Sequence, residues 1–246
     1  MLANSFFSFH IDYIGLFKLG KTNDERIRNF EKIIGKHFLE NNSTVLIPTY
    51  SYSYTKKETY DMLNSQSDVG YVTEELRKRH PNTRTIDPLF SYIVIGNGIS
   101  EENFSPRDYE SFGDNSLISE LYENNAMICS IASSWTRTFT ELHLIERMLE
   151  VKYRQNKTFH GKTIDSSGNV HETNVTFFCK NYDYNLRSGH SQLAEDLIKD
   201  EVIKTIKIED RLQIKGVSFK NLYEYVERKV KDDYFYLCEE IPNGGK

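Results

Sequence analysis

The chain has 246 residues, and its 38 % hydrophobic and 27 % charged residues are typical of a globular protein with a substantial core. No run approaches the roughly 18 apolar residues of a membrane-spanning helix, so we expect no membrane span. The net charge of −5 argues against nucleic acid as the main partner, although one local basic pocket for a phosphate-bearing ligand remains compatible with it.

The first 150 residues are predicted to alternate between strands and helices. Short apolar or aromatic runs indicate strands, whereas apolar residues at helical spacing indicate helices. Thr22 and Glu25 have the spacing of a capping box, which predicts the start of the first helix. The predicted strands cover 6–14, 45–54 with a break at Pro48, 90–98 and 126–133, and the predicted helices start near 22, 69, 115 and 138.

The pattern changes after residue 150. Residues 155–181 alternate around SSGN at 166–169, which predicts a hairpin. A helix is expected at 191–200, strands at 202–217, a helix at 219–231 and a short strand at 234–238. We therefore expect an α/β fold with a layered mixed sheet and helices on both faces, plus a C-terminal α+β portion that contains the hairpin.

These elements are interpreted as one domain over residues 1–246. Residues 1–152 form its α/β core with the active site, and residues 153–246 form the α+β portion. The start of the chain, MLANSFFSFHID, does not have the pattern of a signal peptide, and we expect a cytoplasmic protein. Cys129, Cys179 and Cys238 are scattered and show no metal-like spacing, so we expect no metal site.

The stretch TFTELHLIERM, residues 138–148, carries a candidate active site. Thr140, His143 and Glu146 share one face at helical spacing, just after a predicted strand, where ligands gather in α/β sheets. A capping box from Thr138 to Glu141, or an N-cap at Thr140, would put His143 in the first turn. The helix dipole disfavours an imidazolium there, and a neutral imidazole is what a general base needs. Glu146 would then orient the base, and the hydroxyl of Thr140 would stabilise an oxyanion.

Spacing alone leaves two other interpretations of this stretch open. In the first, Leu142, Ile145 and Leu149 form the core stripe of an ordinary helix, and His143 and Glu146 are a solvated pair on its polar edge. In the second, the histidine is a zinc ligand, but H-x-x-E lacks the second histidine of the H-E-x-x-H helix.

Four segments, in order, resemble the aminoglycoside 3-N-acetyltransferase family over residues 6–165. LIPTYSYSY at 46–54 resembles its P-T-x-[ST] strand end. The segment 67–98 resembles its G-x-x-x-E-x-x-R helix, R-S-x-H-P-x-x-S loop and following strand. FGDNSLISELYEN at 112–124 resembles its G-x-x-S-p-x-x-x-L helix, and TELHLIER at 140–147 matches its T-x-x-H-x-x-E.

The resemblance implies transfer of an acetyl group from acetyl-coenzyme A to an amine of an amino sugar. Carried over to the matching positions, it makes His143 the base, Glu146 its orienting carboxylate and Thr140 the neighbour of the thioester carbonyl. It also implies cofactor contacts from Arg84 and Ser91 and from the loop that starts at His10 and Asp12. Asp68 and Asp87 are candidates for an acidic wall that would suit a cationic amino sugar, and Tyr50 is a candidate for stacking on the acceptor. A homodimer is compatible with the sequence.

The chain departs from the family pattern at two places. The family's H-S-S-L is read here as His10-Ile11-Asp12-Tyr13, and its R-S-x-H-P has Asp87 in place of histidine. These departures favour an amino sugar of a surface-polysaccharide pathway over an aminoglycoside. The departure in the first loop leaves open a non-catalytic relative that binds a sugar or a partner protein. Transfer of another acyl group and transfer to a hydroxyl also stay open, because a histidine base would look the same in the sequence.

Overall fold

A computed structural model describes residues 5–240, and its secondary structure comprises helices and strands along the whole described range. The strands are β1 (Phe6–Ile11), β2 (Thr44–Pro48), β3 (Tyr60–Asp61), β4 (Tyr92–Ile95), β5 (Tyr109–Glu110), β6 (Met127–Ile131), β7 (Arg154–Ile164), β8 (Val170–Lys180), β9 (Leu186–Ser188), β10 (Lys204–Ile208), β11 (Leu212–Ser218) and β12 (Cys238–Glu240). The α-helices are α1 (Asn23–His37), α2 (Tyr71–Arg79), α3 (Leu117–Glu123), α4 (Trp135–Thr138), α5 (Leu142–Met148), α6 (His190–Lys199) and α7 (Phe219–Asp232).

Six strands form the central sheet, in the order β10-β11-β6-β1-β2-β4. The strand β1 runs parallel to both neighbours, β2 and β6, while β4, β11 and β10 each run antiparallel to the strand beside them. The predicted layered mixed sheet is therefore confirmed. Over the described residues, no helix is long and apolar enough to cross a membrane.

The two faces of the sheet carry separate hydrophobic cores. Side chains alternate along β1, so Phe9 and Ile11 pack with α1 on one face while Phe6 packs with the helices of the other face. Helix α1 begins with the predicted capping box, in which Thr22 and Glu25 bond reciprocally. Because Ser8 and His10 alternate with Phe9 and Ile11, their polar side chains point into the second face, where α5 lies.

The predicted hairpin is confirmed: β7 and β8 pair antiparallel along their full length. Its turn is held by Asp165, whose carboxylate accepts the backbone N–H groups of Ser167 and Asn169. A Cβ added at Gly161 would lie 2.6 Å from the ring of Tyr54, so the hairpin packs closely on the 53–56 segment. Strands β3 and β5 extend the hairpin on its two edges, in the order β3-β7-β8-β5.

The hairpin and the C-terminal strands join the two predicted portions across residue 152. The hairpin pairs with β3 and β5 of the first portion, and β11 pairs with β6 in the central sheet. Residues 1–4 and 241–246, which the predicted domain and the predicted start of the chain include, lie outside the described residues.

Several predicted strands have different bounds in the structure, the first and the last among them. The first ends at Ile11 rather than at residue 14, because Asp12 caps a 3₁₀ helix over Tyr13–Leu19. The last covers Cys238–Glu240 rather than 234–238, since residues 234–237 form a turn.

Candidate active site

The helix that carries His143 begins later than either predicted cap. It begins at Leu142, and its N-cap residue Glu141 makes no side-chain cap. The hydroxyl of Thr138 instead donates to the carbonyl of Ser134 at 2.9 Å, so the predicted capping box does not form. His143 is nevertheless in the first turn of α5, directly after the carboxyl end of β6 and the short helix α4.

The partly buried His143 pairs with the buried Glu146. The Nδ1 atom of His143 lies 2.8 Å from Oε2 of Glu146, and their side chains are 16 % and 1 % exposed. On the other side of the carboxylate, Nε of Arg154 from β7 lies 2.5 Å from the same oxygen. The interpretation as a solvated pair on a polar helix edge is therefore wrong.

The charges around this pair fix its protonation near neutral pH. Burial alone raises the pKa of Glu146, but Arg154 and the hydrogen bond from His143 outweigh it and lower that pKa to about 2. Burial, together with the charge of Arg154, lowers the pKa of His143 below its ordinary value. Because Glu146 is ionised, Nδ1 of His143 carries the hydrogen, and the lone pair of Nε2 is left to accept a proton.

The stability of the fold should fall as the pH is lowered, because both pKa values are lowered on folding. The contribution of Glu146 is complete above its ordinary pKa of 4.5 and is lost as the pH falls towards about 2. The contribution of His143 has the same sign and declines below 6.5. Urea unfolding at about pH 7, 5 and 3 measures the effect. Between about pH 5 and pH 3, the Glu146→Gln variant should lose less stability than the wild type. An equal loss in both proteins would contradict the lowered pKa of Glu146.

Aromatic rings surround His143 on the side of the hairpin. The ring of Phe112 meets it edge-on with 5.3 Å between centroids, and the ring of Phe177 on β8 lies 6.1 Å away. Phe90 contacts both of these rings, at 5.1 and 5.0 Å. We call Phe90, Phe112 and Phe177 the aromatic wall. Phe177 is only partly buried, so the wall is accessible where it approaches the base.

Tyr50 lies in the core beside Thr140 and is not a stacking surface. It is 2 % exposed, its hydroxyl is 2.6 Å from that of Tyr92, and it also bonds with Thr140. The predicted strand over 45–54 would have continued through Tyr50, but β2 ends at Pro48 and Tyr52 has a left-handed backbone. We therefore assign Tyr50 a supporting role under Thr140.

The side chains of Arg84 and Ser91 are buried and make their hydrogen bonds within the protein. Arg84 is 1 % exposed, and its guanidinium donates to Oγ of Ser91 at 3.0 Å and to the carbonyls of Ser65 and Thr49 at 2.5 and 2.6 Å. Ser91 is fully buried and donates to the carbonyl of Thr49 at 2.9 Å. Neither side chain is therefore available to a cofactor, which corrects the cofactor contacts expected for Arg84 and Ser91.

Asp68 and Asp87, the expected acidic contacts to an acceptor, also bond to other groups of the protein. Asp87 is 4 % exposed, and its carboxylate accepts the N–H groups of Leu89 and Phe90 at 2.8 and 3.1 Å. Asp68 forms an ion pair with Lys56. The structure therefore gives Asp87 a turn-stabilising role and leaves no free acidic wall at these two positions.

A second buried histidine pair lies at the carboxyl end of β1, and its carboxylate partner was not predicted from the sequence. Glu141 is fully buried, and its Oε1 accepts from Oγ of Ser8 at 2.8 Å and lies 3.1 Å from Nε2 of His10. The Oε2 atom of Glu141 has no hydrogen-bond partner within residues 5–240. His10 is therefore held by a side chain, whereas Asp12 uses its carboxylate to accept the N–H of Ile14 at 3.0 Å.

A cavity of about 690 Å³ opens at the carboxyl ends of β1 and β6. Lys18, Lys207, Arg211 and Lys215 give it a basic lining, with Asp210 as an acidic neighbour. Trp135 also lines it, and the buried Nε1–H of this side chain has no acceptor among the described residues. A basic cavity with a free donor suits a phosphate-bearing ligand. Within the described range 5–240, no group of His, Cys, Asp or Glu side chains is arranged to hold a metal.

The fold is thus an α/β fold that carries a histidine–carboxylate pair on α5 and a basic cavity at the carboxyl ends of β1 and β6. The chain belongs to the aminoglycoside 3-N-acetyltransferase family, whose model matches residues 36–231. It is accordingly an acetyl-coenzyme A-dependent N-acetyltransferase, with acetyl-coenzyme A as co-substrate. A comparison with curated proteins finds no match.

Several solved structures share the fold at low sequence identity. Aminoglycoside acetyltransferase AAC(3)-IIb is 11 % identical with a TM-score of 0.73, covering 94 % of this chain and 92 % of that one. AAC-IIIb in a binary complex with CoASH is 14 % identical with a TM-score of 0.70, covering 94 % and 91 %. YokD from Bacillus subtilis is 12 % identical with a TM-score of 0.68, covering 94 % and 88 %.

Proposed function

We propose that the enzyme acetylates the amine of an amino sugar and that His143 removes the amine proton, oriented by Glu146. This proposal rests on the 2.8 Å contact between Nδ1 of His143 and Oε2 of Glu146, and on the ion pair that Arg154 forms with the same oxygen. The contact holds one imidazole tautomer and leaves Nε2 as the basic atom. Arg154 keeps Glu146 ionised, so the carboxylate stabilises the imidazolium that forms.

Each of these residues meets a need of the reaction. A sugar amine that attacks a thioester gains positive charge, and amide formation requires the loss of a proton, which a neutral histidine can accept. The carbonyl oxygen gains negative charge at the same time and requires hydrogen-bond donors. Thr140 precedes His143 by three residues and is only partly buried, so its hydroxyl is our candidate donor.

The basic cavity is our proposed site for acetyl-coenzyme A. Its lysine and arginine side chains suit the phosphates, and the free Nε1–H of Trp135 offers a further donor. Gly15 also lines this cavity and packs tightly on the end of β6, because an added Cβ would lie 2.7 Å from the side chain of Ile131.

Replacing both Lys18 and Lys215 by alanine should raise the KM for acetyl-coenzyme A tenfold or more and leave kcat nearly unchanged. Each lost charged hydrogen bond is worth about 1.5 to 3 kcal/mol, and the phosphates lie away from the reacting thioester. Steady-state thiol release with varied acetyl-coenzyme A measures both constants. The control is Lys32→Ala on the exposed face of α1, away from the cavity. An unchanged KM in the double variant would contradict the site.

The aromatic wall supports a sugar acceptor with one amine. Phe177 presents an accessible ring beside the base, as sugar stacking requires, whereas Asp68 and Asp87 are occupied within the fold. One related structure contains a gentamicin and another contains apramycin, and both of these aminoglycosides carry several amines. Because a polycation favours free carboxylates, we propose instead a singly charged amino sugar, of the kind used in surface-polysaccharide synthesis.

A thiol-release assay with three acceptors tests this function. The acceptors are a nucleotide-linked sugar with one free amine, the same sugar with a hydroxyl in place of the amine, and an aminoglycoside. We expect the highest kcat/KM with the first acceptor, little turnover of the second and weak turnover of the third. Preferential turnover of the hydroxyl sugar or of the aminoglycoside would contradict the proposed acceptor.

A further inference from the structure

The pair of His10 and Glu141 has the features of a second acid–base group. Glu141 is fully buried, and Ser8 and His10 both bond to its Oε1 atom. Burial raises the pKa of Glu141, but His10 and Ser8 outweigh that effect and hold it below its ordinary value. A buried ionised carboxylate requires hydrogen-bonding partners, and Ser8 and His10 provide them at Oε1 of Glu141.

The position of His10 links it to the proposed cofactor cavity. In the parallel pairing of β1 with β6, His10 is opposite Ser130, and Ser130 lines the cavity. Nε2 of His10 is occupied by Glu141, while Nδ1 makes no hydrogen bond to any residue of the described range. Glu141 directly follows Thr140, and its charge also acts on His143. The pair therefore adjoins a residue that lines the cavity on one side and the segment that carries the base on the other.

Thioester transfer would be assisted by a general acid on the donor side. Alkyl thiols have a pKa of roughly 8.5 or higher, so a departing thiolate is a strong enough base to benefit from a proton at neutral pH. His143 is occupied by the proton that it takes from the amine. A second histidine on the donor side would allow both proton transfers to occur without reorientation of one ring.

We propose that His10 is the general acid that protonates the coenzyme A sulfur, and that Glu141 is its positioning residue. The inference rests on the proposed function. In the step, the amine nitrogen forms a bond to the carbonyl carbon, and the C–S bond breaks with its electron pair going to sulfur. His143 takes one proton from nitrogen, and His10 gives one proton to sulfur. The products are an amide and a free thiol, and one proton passes from His143 to His10 through solvent before the next turnover.

The test compares two acetyl donors in the variants His10→Gln and Glu141→Gln. The first donor is acetyl-coenzyme A, and the second is an acetyl aryl thioester, whose thiolate departs without protonation. Glutamine at position 10 can keep a hydrogen bond to Glu141 but cannot act as an acid, so we expect it to remove the acid and keep the fold. The matched control is His80→Gln, since His80 pairs with Glu31 at 3.0 Å on the surface.

We expect His10→Gln to lower kcat with acetyl-coenzyme A about 10²-fold and with the aryl thioester by less than about threefold. Glu141→Gln should show the same dependence on the donor, and His80→Gln should lower neither rate. An equal loss with both donors, or no loss with acetyl-coenzyme A, would overturn the role of His10.

Water can replace the sugar as acceptor in a second series, so the dependence on the donor is measured even if no sugar is acetylated. If no sugar is acetylated, the proposed acceptor is wrong, but the role of His10 is still tested by the ratio of the hydrolysis rates with the two acetyl donors. The thermal midpoint of each variant, measured beside the wild type, separates a loss of fold from a loss of the acid.

Discussion

Replacing His143 by alanine should lower kcat by about 10²- to 10⁴-fold, the usual contribution of a positioned general base. The amine proton would then pass to water, which is a much weaker base than imidazole. The KM for acetyl-coenzyme A should change little, because the proposed cofactor cavity does not include His143. Thiol release at saturating acetyl-coenzyme A measures the effect directly.

A matched histidine elsewhere in the chain controls for the loss of an imidazole. His171 lies 2.8 Å from Asp165 at the hairpin turn, so it has the same kind of carboxylate partner as His143. His171→Ala should leave kcat within about twofold of wild type. Turnover of His143→Ala at the wild-type rate would rule out His143 as the base, whatever the acceptor.

The local part of the candidate site could be predicted from the sequence. His143 and Glu146 are three residues apart, and the helix brings them within 2.8 Å as that spacing requires. The capping box at Thr22 and the hairpin turn at 166–169 were predicted on the same basis. In each case, the partners are close in sequence and the backbone geometry between them is standard.

The non-local part could not be predicted. Arg154 reaches Glu146 only because the fold brings the start of β7 beside α5. Glu141 and His10 are 131 residues apart in the sequence. No spacing rule connects such partners. Arg84 shows the converse, because an arginine in a loop suggests a phosphate ligand, yet this one is buried against two carbonyls and a serine. Burial follows from the pairing of distant segments, which periodicity does not specify.

Replacing Arg154 by methionine should lower the free energy of unfolding by about 3 to 5 kcal/mol. Arg154 and Glu146 have side chains that are 6 % and 1 % exposed, so the remaining carboxylate would be buried without its cationic partner. Its pKa would rise, and it would orient His143 less strongly, so kcat should fall as well. Urea unfolding and thiol release measure the two losses.

Two further variants separate the buried charge from ordinary packing. Combining Arg154→Met with Glu146→Gln removes both charges and should restore part of the stability while kcat stays low, since an uncharged amide cannot stabilise the imidazolium. Arg28 and Asp24 form an exposed pair with side chains 57 % and 56 % exposed, and Arg28→Ala should cost no more than about 1 kcal/mol. If Arg154→Met lowered the free energy of unfolding as little as Arg28→Ala, the charge of Arg154 would not be what keeps Glu146 ionised.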